Sequence, residues 1–136
     1  MGGYYHIYTK QGIIHRGIQP KAILINKDNN FLLTSFDLAI LTSSIDHRLL
    51  PQQPGSQNYM APEQFRGSVS QKSDQYALGC IAYELCTGHL PFDEPPFPLT
   101  PIDQIKPPIA PHFINPSVTP QVGYAILKSL SFKQKQ

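Results

Sequence analysis

At 136 residues the chain has the length of one small domain with a single core. Apolar residues make up 40% and charged residues 15%, the net charge is +2, and no long basic run occurs, so neither nucleic acid nor an anionic membrane is an expected partner. The first ten residues, MGGYYHIYTK, lack the apolar core of a signal peptide, and the longest nearly apolar run, 76–85, is about half of what a bilayer requires; a cytoplasmic location is expected.

Residues 1–11 read as the end of a helix closed by Gly12. Two short β-type runs follow, 22–25 and 31–34, separated by Asn26-Lys27-Asp28-Asn29-Asn30. Asn and Asp tolerate turn geometry, so these runs are expected to pair as a hairpin. Residues 38–58 show no clean period and read as a long loop. Ser73 suits the N-cap of a helix that runs to Gly88, a good residue for the left-handed position after a helix. The stretch 76–83 offers no polar face, and a helix apolar all round needs neighbours on every side. Cys80 and Cys86 lie six apart within it, with no metal-ligand neighbours, and read as buried free thiols.

Ten of the thirty residues 91–120 are proline, which forces most of this stretch to be extended or turning, with room for a helical turn only at 102–106. A last helix should start at Thr119, with Pro120 in the first helical position and Val122, Ile126, Leu127 and Leu130 on one face.

The run Ile13-Ile14-His15-Arg16-Gly17-Ile18-Gln19-Pro20-Lys21-Ala22-Ile23-Leu24-Ile25 resembles the catalytic loop of serine/threonine protein kinases, I-I-H-R-D-[LI]-K-P-x-N-I-L. Leu33-Thr34-Ser35-Phe36-Asp37-Leu38-Ala39 falls where the family has L-x-D-F-G-L-A. Gly55-Ser56-Gln57-Asn58-Tyr59-Met60-Ala61-Pro62-Glu63 matches G-[TS]-x-x-Y-M-A-P-E, and Ser73-Asp74-Gln75-Tyr76-Ala77-Leu78-Gly79 matches S-D-x-Y-x-L-G. Tyr83-Glu84-Leu85, Thr87-Gly88 and Pro91-Phe92 continue in register. Order and spacing together carry the resemblance, over about residues 12–92.

The departures fall on the chemistry. In the family the catalytic-loop Asp accepts the substrate hydroxyl proton, and an Asn and a second Asp hold the Mg²⁺ ions of Mg·ATP. Those positions are Gly17, Ala22 and Ser35 here, and the family Lys that neutralises the transferred phosphate is Gln19. Asp37 stands two residues past the metal position, about 6–7 Å along an extended chain, a shift that Mg²⁺ with ligands at about 2.1 Å does not absorb. Asp28 belongs to the hairpin turn. Residues of structural use are kept: His15, Arg16 and Phe36 around the loop, Asp74 beneath it, Glu63 in the A-P-E match, and Leu24 at the adenine floor. Arg16 corresponds to the arginine that meets a phosphorylated activation loop in the family, with Thr42, Ser43 and Ser44 as acceptors here. The alternative for Arg16 is to pack its stem and bond nearby carbonyls.

The resemblance implies a mainly α fold with a small β-hairpin (α+β), a partial kinase large lobe with the small lobe absent. Its parts would be a catalytic-loop-like segment 13–25, a metal-motif-like segment 33–39, an activation-segment-like stretch 38–63, a central helix 73–87, a proline-rich connection 91–118 and a last helix 119–131. No functional catalytic residue and no bound ATP or Mg is expected. The expected role is a catalytically inactive, pseudokinase-like binding or scaffolding domain, with a protein partner over the exposed surface of the central helix. A split kinase completed by another chain and a remnant of a truncated kinase gene are the alternatives. The cation that pairs with the A-P-E Glu in the family would fall just after Gln136, leaving Glu63 without it.

Overall fold

The computed structural model describes residues 12–41, 57–95 and 100–132. The expected helix end at 1–11 and the acceptors Thr42, Ser43 and Ser44 lie outside them.

Among the described residues two small antiparallel ladders form the β part. Strand β1 (Ile13–Ile14) pairs with β4 (Ile40–Leu41), setting Ile13 opposite Leu41 and Ile14 opposite Ile40. Strands β2 (Ile23–Ile25) and β3 (Phe31–Leu33) make the expected hairpin, with Leu24 opposite Leu32. Its turn is organised by Asn26, whose Oδ1 accepts the N–H groups of Asp28 and Asn30, each at 2.9 Å. Asn29 takes the left-handed conformation there, φ 60°. The β1–β4 pair corrects the reading of residues 38–58 as loop throughout. Two-residue strands carry no period, and the pairing joins segments far apart in sequence.

Among the described residues three α-helices follow: α1 (Gln71–Thr87), α2 (Pro111–Ile114) and α3 (Pro120–Ser129). Helix α1 begins two residues before the expected 73–87 range, because Ser70 and not Ser73 is its N-cap. Each serine hydroxyl takes an amide at the helix start: Ser70 Oγ accepts the Lys72 N–H at 3.2 Å, and Ser73 Oγ accepts the Ser70 N–H at 3.1 Å. Gly88 ends α1 at φ 76°, donating its N–H to the Glu84 carbonyl. Helix α3 has the expected cap, Thr119 Oγ1 accepting the Val122 N–H at 3.4 Å, and its helical residues are 120–129 rather than 119–131. Within the proline-rich connection a 3-10 turn occupies Ile102–Gln104 as expected, whereas α2 was not foreseen. One turn with Pro111 at its first position uses a proline that needs no amide partner.

Helix α1 is the centre of packing. Its Tyr76, Cys80 and Tyr83 form one buried cluster with Ala61, Ile126 and Leu130, while Ala77 and Ile81 form another with Ile18. Approach to α3 is close: a Cβ on Gly79 would lie 3.0 Å from the Ser129 Cβ and 3.2 Å from Leu130 Cδ2. Of the expected α3 face, Ile126 and Leu130 are buried, Leu127 is half-buried and Val122 is exposed. The connection is held to α1 by side-chain bonds to main-chain carbonyls, Tyr83 Oη to Ile109 at 3.0 Å and Asn115 Nδ2 to Cys86 at 2.8 Å. Covering of α1 is incomplete, since Leu78 is 48% and Leu85 78% exposed. Cys80 is buried and Cys86 half-buried, both as free thiols. Among the described residues no helix is long and apolar enough to cross a membrane.

Candidate functional site

Residues 15–22 link β1 to β2 and are held from below by α1. The buried carboxylate of Asp74 accepts the His15 N–H at Oδ2 (2.7 Å) and the Arg16 N–H at Oδ1 (2.9 Å). Helix capping fixes this placement: with Ser70 as N-cap, Asp74 lies in the first turn of α1, where a carboxylate also meets the positive end of the helix dipole. The two bonds hold Arg16 at φ 69°, a left-handed conformation that non-glycine residues seldom adopt. The Arg16 side chain is itself buried and reaches the Leu38 carbonyl through Nη1 at 3.4 Å. Carbonyl bonding is one of the two roles expected of Arg16, and the acceptors of the other, Thr42, Ser43 and Ser44, lie outside the described residues. Burial draws the guanidinium below its ordinary pKa.

His15 ties this loop to the end of β3. Its Nε2 lies 2.7 Å from the Thr34 carbonyl oxygen, which can only accept, so Nε2 carries the proton. Nδ1 is then free to accept the Gly17 N–H at 3.2 Å. Phe36 meets the His15 ring edge-on at 4.7 Å between centroids. Thr34 is a hub that sequence reasoning did not single out. Its N–H (2.8 Å) and its Oγ1 hydroxyl (3.1 Å) both donate to the Ala22 carbonyl, while its own carbonyl serves His15. No motif position marks it, because two of these bonds use main-chain groups of Thr34.

The positions that match the family's chemical ones lie on and beside this loop, and their side chains differ from the family's. Gly17 has no side chain, although an added Cβ would meet nothing closer than 3.7 Å. Gln19 precedes a 3-10 turn, Pro20–Ala22, in which Ala22 is buried and presents only a methyl group. Ser35 is left-handed (φ 63°, ψ 53°), and its neutral hydroxyl lies 3.4 Å from Thr34 Oγ1. Asp37 is exposed in the next turn and Asp28 is in the hairpin turn. Among the described residues no three His, Cys, Asp or Glu side chains gather as a metal site. The donor set does not fit Mg²⁺, which requires several oxygen ligands, carboxylates among them, at about 2.0–2.1 Å.

A cleft beside the loop, lined by Arg16, Gly17, Gln19, Tyr59, Met60 and Gln64, leaves about 20 Å³ for the centre of a water-sized molecule. One water needs about 10–15 Å³, so the space suits a water and not a nucleotide. Leu24, at the adenine-floor position, is 52% exposed.

The A-P-E segment is anchored by hydrogen bonds between side chains. Glu63 Oε1 accepts the Ser73 hydroxyl at 2.8 Å, so the carboxylate that was expected to lack a partner cation has a neutral donor. Next to it, the Tyr59 hydroxyl donates to Glu84 Oε2 at 2.6 Å. Burial first, then that carboxylate, push the Tyr59 pKa far up, and burial pushes the Cys80 thiol up to about 12.

These features agree with what comparison with known proteins finds. The protein kinase domain model matches residues 1–106. Serine/threonine-protein kinase PknB of Mycolicibacterium smegmatis is 32% identical over 126 residues, which is 90% of this chain and 20% of that protein. Serine/threonine-protein kinase PrkC of Bacillus subtilis is 43% identical over 89 residues, 65% of this chain and 14% of that protein. Serine/threonine-protein kinase PknL of Mycobacterium tuberculosis is 36% identical over 84 residues, 61% of this chain and 21% of that protein. The chain thus spans about a fifth or less of the length of these relatives. With the family model over most of its length and the loop, hairpin and central helix in the matching order, the chain belongs to the protein kinase family.

Proposed function

We propose that this chain is a non-catalytic member of its family, a pseudokinase-like domain that acts by binding a partner protein. One observation carries the reading: the Asp74 carboxylate holds the His15 and Arg16 amides in place around a loop whose chemical positions are Gly17, Gln19 and Ala22. The support for the loop is kept while the base, the phosphate clamp and the metal ligands are replaced. In this reading residues 12–132 belong to the large lobe, and the chain works in the cytoplasm without Mg·ATP. The partner covers the side of α1 that exposes Leu78 and Leu85.

The magnitude of the chemical loss supports inactivity. Loss of a general base alone lowers a rate by about 10²–10⁴, from about 1–100 s⁻¹ for ordinary kinases. Loss of the metal ligands further removes the electrostatic stabilisation on which this transfer depends. The test is transfer of labelled γ-phosphate, with Mg²⁺ or Mn²⁺, to the chain itself and to general protein substrates. No incorporation above the no-protein background is expected. Turnover above about 0.1 s⁻¹, a rate an ordinary kinase would exceed, would overturn the reading.

A further inference from the structure

The proline-rich connection ends in a run, Lys106-Pro107-Pro108-Ile109-Ala110-Pro111, that forms neither helix nor strand until α2 begins. Its prolines set the conformation. The rings of Pro107 and Pro108 fix φ near about −65°, and each residue before a proline, here Lys106, Pro107 and Ala110, is pushed towards extended backbone. Ala110 has φ −60° and ψ 132°, close to polyproline II geometry. Burial follows the three-residue period of that helix. Ile105 and Pro108 are half-buried and Pro111 is buried, one ridge turned inward, whereas Lys106, Pro107 and Ile109 are exposed, Ile109 by 64%. The strap is anchored where the Ile109 carbonyl accepts the Tyr83 hydroxyl at 3.0 Å. At about 100° per helical residue, Tyr83 points roughly 140–160° away from Leu78 and Leu85 on α1, so the strap is not on their side. It also begins where the match to the protein kinase domain model, residues 1–106, ends.

We propose that residues 106–109 are a docking strap for a partner domain whose groove is lined by aromatic rings and carries a carboxylate at one end, the SH3 type of proline reader. Pairing with a partner strand is excluded, because Pro107 and Pro108 have no amide to give a ladder. An aromatic groove needs no such amide: it packs on the Pro107 ring and the Ile109 side chain, and its carboxylate meets the Lys106 ammonium. The rings and the Tyr83 bond already hold the strap extended, so docking orders little that is not ordered beforehand. The proposal is independent of the non-catalytic reading and of the partner placed over Leu78 and Leu85.

The full chain, passed over a panel of immobilised SH3 domains with WW domains alongside, tests this. At least one SH3 domain should bind it saturably and lose it to a free proline-rich peptide. Lys106→Glu should weaken that binding about tenfold and Pro107→Ala about fivefold. Both side chains are exposed, so far-UV dichroism and the thermal midpoint should stay as in wild type. No binding to any SH3 domain at about 1 mM chain, where even a contact of about 4 kcal/mol would register, would overturn the proposal. So would SH3 binding that neither variant weakens, or binding to WW domains alone that Lys106→Glu leaves unchanged. Phosphate transfer does not enter any of these readouts, so their failure is separable from failure of the non-catalytic reading.

Discussion

Replacing Asp74 tests the support beneath the loop. Asp74→Ala removes at once the acceptors of two N–H groups that lie in the interior, those of His15 and Arg16. An unsatisfied buried donor costs about 1–3 kcal/mol, so the pair predicts a loss of about 2–6 kcal/mol. Domains of this kind are stable by only about 5–15 kcal/mol, so the variant should be close to unfolding or beyond it. Asp74→Asn keeps one carbonyl oxygen and turns the other position into a donor facing a donor. Its loss should be about half as large, roughly 1–3 kcal/mol. Urea unfolding followed by circular dichroism gives both values, with the m-value reporting whether the native state has kept its compactness. Amide exchange at His15 and Arg16 should rise in Asp74→Asn before the rest of α1 responds. If Asp74→Ala unfolds with a stability within about 1 kcal/mol of wild type, below the loss expected even from one orphaned donor, the loop does not depend on this carboxylate.

Three further outcomes follow from particular contacts. Glu63→Gln keeps an oxygen for the Ser73 hydroxyl and should change stability by less than about 0.5 kcal/mol, whereas Glu63→Ala should cost about 1–2 kcal/mol in the same urea titration; a large loss in the glutamine variant would mean that the charge itself matters. The Cys80 thiol, raised to about 12 by burial, stays protonated in the fold while an unfolded cysteine ionises near pH 8.5–9. The unfolded state therefore binds fewer protons, and stability present below about pH 8.5 should be lost progressively between there and pH 12, seen as a falling thermal midpoint; a midpoint flat across that range would contradict it. Leu78 and Leu85 are exposed enough that the native chain should bind a hydrophobic dye before heating, and Leu78→Gln with Leu85→Gln should lower that signal while far-UV dichroism is retained.

The sequence made some of this legible for local physical reasons. The hairpin was readable because Asn26 and Asn29 do in the structure what asparagine favours in any turn. The ends of the helices were nearly so: Gly88 and Thr119 cap as expected, while Ser70 and Ser73 are chemically alike and only the fold shows which is N-cap and which closes the box from inside the helix. The β1–β4 pair and the Thr34 hub were hidden, because both depend on main-chain groups that every residue has. An apolar helix likewise gives no sign of which side stays bare; that Leu78 and Leu85 are the uncovered residues is a property of packing alone. The departures from the family motifs were readable directly, since Gly17, Ala22 and Ser35 carry no carboxylate or amide group wherever the chain places them.

Calorimetric titration of the intact chain with Mg·ATP up to millimolar concentration addresses the central claim most directly. With Gly17, Gln19, Ala22 and Ser35 at the family's chemical positions, no saturable heat is predicted. A saturable isotherm with a micromolar dissociation constant, about 8 kcal/mol of binding free energy, would show that the chain holds the nucleotide by other means and would contradict the account.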